Sequence, residues 1–152
     1  MSDPLYRKEL MRLAADAIAA GRLAHPDATG VAFNPACGDR VTVDINIENG
    51  RITAIAHETK ACVIAQASAS VLGKVLKGAQ RTDLEALQQR LLSMLKVQGE
   101  PPEPPYDAYS AFDGTVEYAG RHRCVLLPLE AVLAAIRSSE CENSDPVLRQ
   151  GQ

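Results

Sequence analysis

From Arg40 to Glu48 the chain alternates without a fault: Val41, Val43, Ile45 and Ile47 fall on one side, Thr42, Asp44 and Asn46 on the other. A period of two is that of a strand with one buried face. Asn49-Gly50 follows, a dipeptide suited to a two-residue turn, and RITAIAHET from Arg51 returns as a second antiparallel strand. Elsewhere the period lengthens. Residues 4–20 place Leu10, Leu13, Ala14, Ala17 and Ile18 at helical spacing, with Gly21 as a stop. The stretch after it, with His25, Pro26, Gly30, Asn34, Pro35 and Gly38, reads as turns. Cys62–Leu76 is a helix rich in small residues, which can pack closely on a sheet, and Gly78 ends it. Thr82-Asp83 caps a further helix whose buried side is Leu84, Leu87, Leu91, Leu92 and Leu95, ending at Gly99. EPPEPPYD is a surface loop. The segment up to Arg123 supports at most a short strand, and a last helix covers LPLEAVLAAIRS with Pro128 in its first turn. Residues 138–152 are polar and aperiodic and predict a disordered tail. The expected architecture is α+β: one domain over residues 1–137, with a small antiparallel sheet packed against helices.

Composition narrows the function. A chain of 152 residues with 46% apolar content can bury a core without disulfides. A net charge of −3, only 4% aromatic residues and no Trp argue against a nucleic-acid partner. The charged start MSDPLYRKEL lacks the apolar core of a signal peptide, and VLLPLEAVLAAI is interrupted by Pro128 and Glu130. The expectation is a cytoplasmic protein without a membrane partner.

Four cysteines in a reducing compartment are then buried hydrophobes, metal ligands or reactive thiols rather than disulfides. Three of them stand at element junctions. Cys37 precedes the hairpin, Cys62 joins the second strand to a helix, and Cys124 stands where the irregular segment meets the last helix. A lone cysteine is most often a packing residue; three at junctions point to a shared site. Asp39, separated from Cys37 by Gly38, completes a set of three thiolates and one carboxylate, suited to tetrahedral Zn²⁺ or to the exposed irons of a cluster. Taken alone, Asp39 also reads as a turn residue. His25 and His57 lack metal-ligand spacing to a cysteine, Ser68 and Ser70 read as helix packing, Lys74 and Lys77 as a solvated face, and Cys141 as a bystander thiol.

NPACGDR around Cys37, KACVIAQASAS around Cys62 and RHRCVLLPLEAV around Cys124 resemble the U-type proteins of iron–sulfur cluster assembly: IscU, SufU and the N-terminal domain of NifU. The likeness spans roughly residues 5–137. The spacing 62 − 37 = 25 fits the family, and 124 − 62 = 62 matches the longer SufU-type arrangement. Arg123 stands where IscU-type members carry His before the third cysteine, with His122 one position earlier; a basic residue there again favours the SufU branch. Ala61 replaces the usual Gly before the second cysteine, and the LPPVK motif of chaperone recognition is absent.

The resemblance implies a scaffold that builds a transient [2Fe–2S] cluster, a zinc-dependent acceptor of persulfide sulfur from a SufS-like cysteine desulfurase, or both. Whether to class such a protein as an enzyme stays open. It implies Cys37, Asp39, Cys62 and Cys124 as ligands of the metal or cluster. Cys37 is the expected sulfur acceptor, being in the loop between Pro35 and Gly38; Cys124 is the alternative, and Arg123 the supporting charge. Downstream partners are a cluster carrier or apo-proteins, with no Hsp70-type chaperone through the missing motif. The competing reading is a structural-zinc module without transfer chemistry. Such modules are usually closed by four Cys or His ligands.

Overall fold

The computed structural model describes residues 8–36, 38–97, 100–117 and 119–144. Helix α1 (Lys8–Asp16) is followed by strands β1 (Ala28–Asn34), β2 (Asp39–Glu48) and β3 (Arg51–Lys60), helices α2 (Val63–Val75) and α3 (Arg81–Val97), a 3₁₀ stretch (Asp107–Glu117) and helix α4 (Ala119–Ser144). The strands form one antiparallel sheet in the order β1-β2-β3. Asn49 and Gly50 have φ of 55° and 77°, the doubly left-handed turn that the Asn-Gly pair favours. The α+β architecture, with a small antiparallel sheet against helices, is as the alternation predicts.

The first strand is a departure from the sequence reading. Along ATGVAFN the buried positions are Ala28, Gly30, Ala32 and Asn34, whereas Val31 and Phe33 face outward. The bulky residues thus sit on the open face and the small ones on the core face. Gly30 shows why: an added Cβ would lie 2.2 Å from the Ala131 carbonyl oxygen and 2.4 Å from the Ala135 nitrogen. The backbones of β1 and α4 nearly touch, so the inward positions must be small.

Helix α4 also differs. It begins at Ala119, before Cys124, so Pro128 lies in its interior rather than in its first turn. A proline there removes the N–H that would bond the Cys124 carbonyl one turn back. The next carbonyl, Val125, is taken by Ser68 Oγ at 2.6 Å, and Ser68 also meets the buried Tyr109 hydroxyl at 2.9 Å. Helix α4 continues through 138–144, which the sequence pattern assigns to a disordered tail; on this extension Glu140 accepts a hydrogen bond from Arg81 of α3. Residues 145–152 lie outside those described. Where a short strand was one expectation, Asp107–Glu117 forms 3₁₀ turns that put Tyr109 and Phe112 into the core.

The core fills the space between the inner sheet face (Val41, Val43, Ile45, Ile55) and apolar residues of α2, α3 and α4. Helix α3 starts with Asp83 accepting the Gln80 backbone N–H at 2.9 Å, half of a capping box. His57, opposite Val43 on the inner face, is buried, and its ring bonds the Ile18 carbonyl and Thr59 Oγ1. Asp44 is buried on the other face. Arg22 grips it with Nε and Nη2 at 2.6 and 2.9 Å, and Thr29 Oγ1 and the Leu23 N–H add donors at 2.7 and 3.1 Å. That four-donor cradle pins the α1–β1 connection to the sheet. No helix among the described residues is long and apolar enough to cross a membrane.

Candidate metal centre

The loop before β2 is shaped by its own residues. Asn34 Oδ1 accepts the Ala36 N–H at 3.2 Å, and the Asn34 carbonyl accepts the Gly38 N–H at 2.9 Å. Gly38, at φ 74°, occupies the left-handed region that glycine enters at little cost. This turn delivers Asp39 to the first position of β2, where it is buried. Cys62 is the N-cap of α2, with φ −66° and ψ 169°. Cys124 is buried within the second turn of α4.

Three elements far apart in sequence therefore converge. One carboxylate oxygen of Asp39 and the sulfurs of Cys62 and Cys124 all lie within 4.8 Å of one another. Cys124 Sγ points at Asp39 Oδ2 from 3.7 Å. Around a tetrahedral Zn²⁺, ligand bonds of about 2.0–2.3 Å separate neighbouring donors by about 3.5–3.8 Å. Two thiolates and a carboxylate at these separations fit such an ion, leaving its fourth position for one more ligand. The same donors suit the exposed iron of a cluster.

The two sulfurs differ in their proton affinity. A hydrogen bond from Cys124 pushes the Cys62 thiol down to about 6, and the first-turn amides of Ala65 and Ile64 add to this against the cost of burial. Cys124 is pushed up, first by that same hydrogen bond and then by burial and the neighbouring negative charge; Arg121 opposes the rise. The environment thus favours the thiolate on Cys62 and disfavours it on Cys124.

Of the residues that the sequence nominates, Asp39, Cys62 and Cys124 come together, whereas Cys37 lies outside the described residues. Arg123 is half exposed and directed elsewhere: its Nη2 reaches the Phe33 carbonyl at 3.3 Å and Glu130 Oε2 at 3.7 Å. The cation that hydrogen-bonds Cys124 is Arg121, which sequence reading missed. Three residues apart on one helix, Arg121 and Cys124 share a face. That signal is invisible when the helix is started at Cys124.

An α+β domain presenting a thiolate–carboxylate metal site where strand and helix ends meet defines a class, and comparison with known proteins identifies it. The chain belongs to the NifU-like N terminal domain family, which it matches over residues 5–119. That span includes Cys37, Asp39 and Cys62 and stops short of Cys124. The N-terminal domain of a nitrogen-fixing NifU-like protein from Brucella abortus has the same fold, with a TM-score of 0.87 at 35% identity over 92% of this chain and 97% of that one. Among curated proteins, the chain is similar to the iron–sulfur cluster assembly scaffold protein IscU of Streptococcus pyogenes, 26% identical over 70% of this chain and 67% of that protein. It is also similar to the zinc-dependent sulfurtransferase SufU of Bacillus subtilis, 26% identical over 72% of this chain and 75% of that protein.

Proposed function

We propose that this protein serves iron–sulfur cluster assembly, as a cluster scaffold, as a zinc-dependent acceptor of persulfide sulfur from a cysteine desulfurase, or as both in turn. The observation that carries the proposal is the convergence of Asp39, Cys62 and Cys124 within 4.8 Å. Cys37 is the fourth ligand in this reading. Two residues from Asp39, its Cα is at most about 7 Å from that of Asp39. The names borne by its IscU and SufU relatives support both branches.

Zn²⁺, when bound, keeps its cysteine ligands deprotonated and adds its binding energy to folding. The rest is the work of the chain. Cys62 is fixed at a helix N-terminus and Cys124 inside a helix, so both are anchored by packing. Cys37, between Pro35 and Gly38 in sequence, is the acceptor in this reading. In sulfur transfer its thiolate attacks the terminal sulfur of the partner's cysteine persulfide. A new S–S bond forms on Cys37, the partner's S–S bond breaks, and the partner's cysteine leaves as thiolate, so no outside oxidant or reductant is needed. Cys124 is the alternative acceptor. Arg121, bonded to Cys124, supplies positive charge for a thiolate or persulfide, the role expected of Arg123, which is directed to Phe33 and Glu130 instead. In the scaffold role, iron and sulfide are the cargo, collected on the same four ligands and passed to a carrier or apo-protein.

A structural-zinc module would be served best by four Cys or His ligands; a carboxylate is a harder, more readily displaced ligand for a soft centre and suits exchange. Incubation with a cysteine desulfurase and cysteine, followed by peptide mass spectrometry, tests the reading. Added sulfur is expected on the Cys37 peptide. Sulfur on the Cys124 peptide alone would reverse the acceptor. Failure to take up sulfur and failure to assemble a cluster on reconstitution would together leave the structural-zinc module.

A further inference from the structure

Strand β1 ends the sheet, and among the described residues no strand pairs with its outer side. Natural edge strands are usually guarded by charge, proline or a bulge, because their free N–H and C=O groups invite another chain. ATGVAFN carries no charge and no proline, and its outward Val31 and Phe33 are 52% and 45% exposed. The guard is borrowed instead. Arg123 on α4 donates to the Phe33 carbonyl, and Arg40 stacks over the Phe33 ring at 5.5 Å.

Beside this edge runs a groove of about 350 Å³, lined by Val31, Phe33, Gln88, Arg123, Glu130 and Arg137 among others. Residues 123, 130 and 137 are two helical turns apart and form one stripe of α4. Two arginines thus flank one glutamate. Glu130 Oε2 is buried with no hydrogen-bond partner, its nearest cation being Arg123 at 3.7 Å. The groove offers unpaired strand edge, exposed apolar side chains and net positive charge.

We propose that the open edge of β1 and the facing stripe of α4 dock an extended, acidic segment of a partner protein, added as a fourth strand. Its carboxylates meet Arg137 and Arg123, its apolar side chains lie along Val31 and Phe33, and its backbone pairs with the free edge of β1. A second copy of this chain is the poorer occupant, because it would set its own Arg123 and Arg137 against these. The groove is joined to the metal centre along the chain: Phe33 precedes the Asn34–Gly38 turn that leads to Asp39, and Arg123 precedes Cys124 on α4.

The probe is a blocked six-residue peptide of alternating glutamate and valine, with a lysine–valine peptide as control, titrated into the ¹⁵N-labelled full chain. Amide shifts are expected over residues 29–34 and along 123–137, diminishing as salt is raised. Arg137→Glu and Val31→Glu, both at exposed positions, should each weaken binding about fivefold or more. No response of the β1 amides at about 1 mM peptide, or equal binding of the lysine peptide, would overturn the proposal. So would self-association through β1 seen by light scattering, or shifts of the β1 amides on deleting residues 145–152, which would give the groove to the chain's own end.

Discussion

Replacing Gly30 by Ala asks whether the metal site depends on the close approach of β1 and α4. The added Cβ would stand 2.2 Å from the Ala131 oxygen, 2.4 Å from the Ala135 nitrogen and 2.9 Å from the Ala135 Cα, all helix backbone atoms. Ordinary contact begins near 3.4 Å, so strand and helix must part by roughly 3.4 − 2.2 = 1.2 Å locally. No side chain can rotate away to relieve it. Overpacking of this kind costs about 1–3 kcal/mol and occasionally more, and a clash with backbone belongs at or above the top of that range. At ~2–4 °C per kcal/mol for a chain of this size, Tm should fall by about 6–12 °C. Because α4 carries Cys124 while Asp39 and Cys62 belong to β2 and α2, zinc affinity should fall as well. Gly38→Ala is the control: nothing lies within 4 Å of its Cβ position, so its cost is the left-handed backbone alone, about 1–2 kcal/mol. Thermal and urea melts of both variants read the difference. A Gly30→Ala protein melting within about 2 °C of the parent would refute the packing argument.

Three further outcomes are expected. Arg22 holds the Asp44 carboxyl below the usual carboxylate range, so the stability it gives is present above about pH 4 and lost as pH falls through the folded value; Asp44→Asn should cost about 1.5–3 kcal/mol near neutrality and flatten that acid limb in urea melts. Asp39→Ala should hold a reconstituted [2Fe–2S] cluster longer than the parent under anaerobic conditions, because the most displaceable ligand is gone; faster loss, followed by visible absorbance, would contradict a release role. Cys141→Ser should leave metal content and sulfur uptake unchanged, and a fall in either by metal analysis or mass spectrometry would make that thiol part of the chemistry.

The hairpin was legible because two signals agree: strict alternation through β2 and a turn dipeptide that needs two positive φ values. Strand β1 was not, because its sequence pattern is inverted. Ala28, Gly30 and Ala32 face the core and Val31 and Phe33 the open side, a consequence of helix backbone lying against the strand. The start of α4 was hidden by Pro128, which fits a first turn by local rules but lies mid-helix here. Ser68 and Tyr109, distant in sequence, supply hydrogen bonds beside it. For the site, the junction cysteines and the Cys-Gly-Asp turn were enough to nominate Asp39, Cys62 and Cys124. Their convergence is a tertiary fact that no spacing rule gives. Arg121 escaped notice for the same reason as the helix start, and Asp44 because its cradle is assembled from a loop with no periodicity.

Whether three cysteines and Asp39 make one metal centre is read directly by zinc K-edge X-ray absorption of the full chain loaded with one equivalent of Zn²⁺. Three sulfur ligands at about 2.3 Å and one oxygen at about 2.0 Å are expected, falling to two sulfurs in Cys37→Ser and likewise in Cys62→Ser. A first shell of nitrogen and oxygen alone, or a sulfur count unchanged by either substitution, would contradict it.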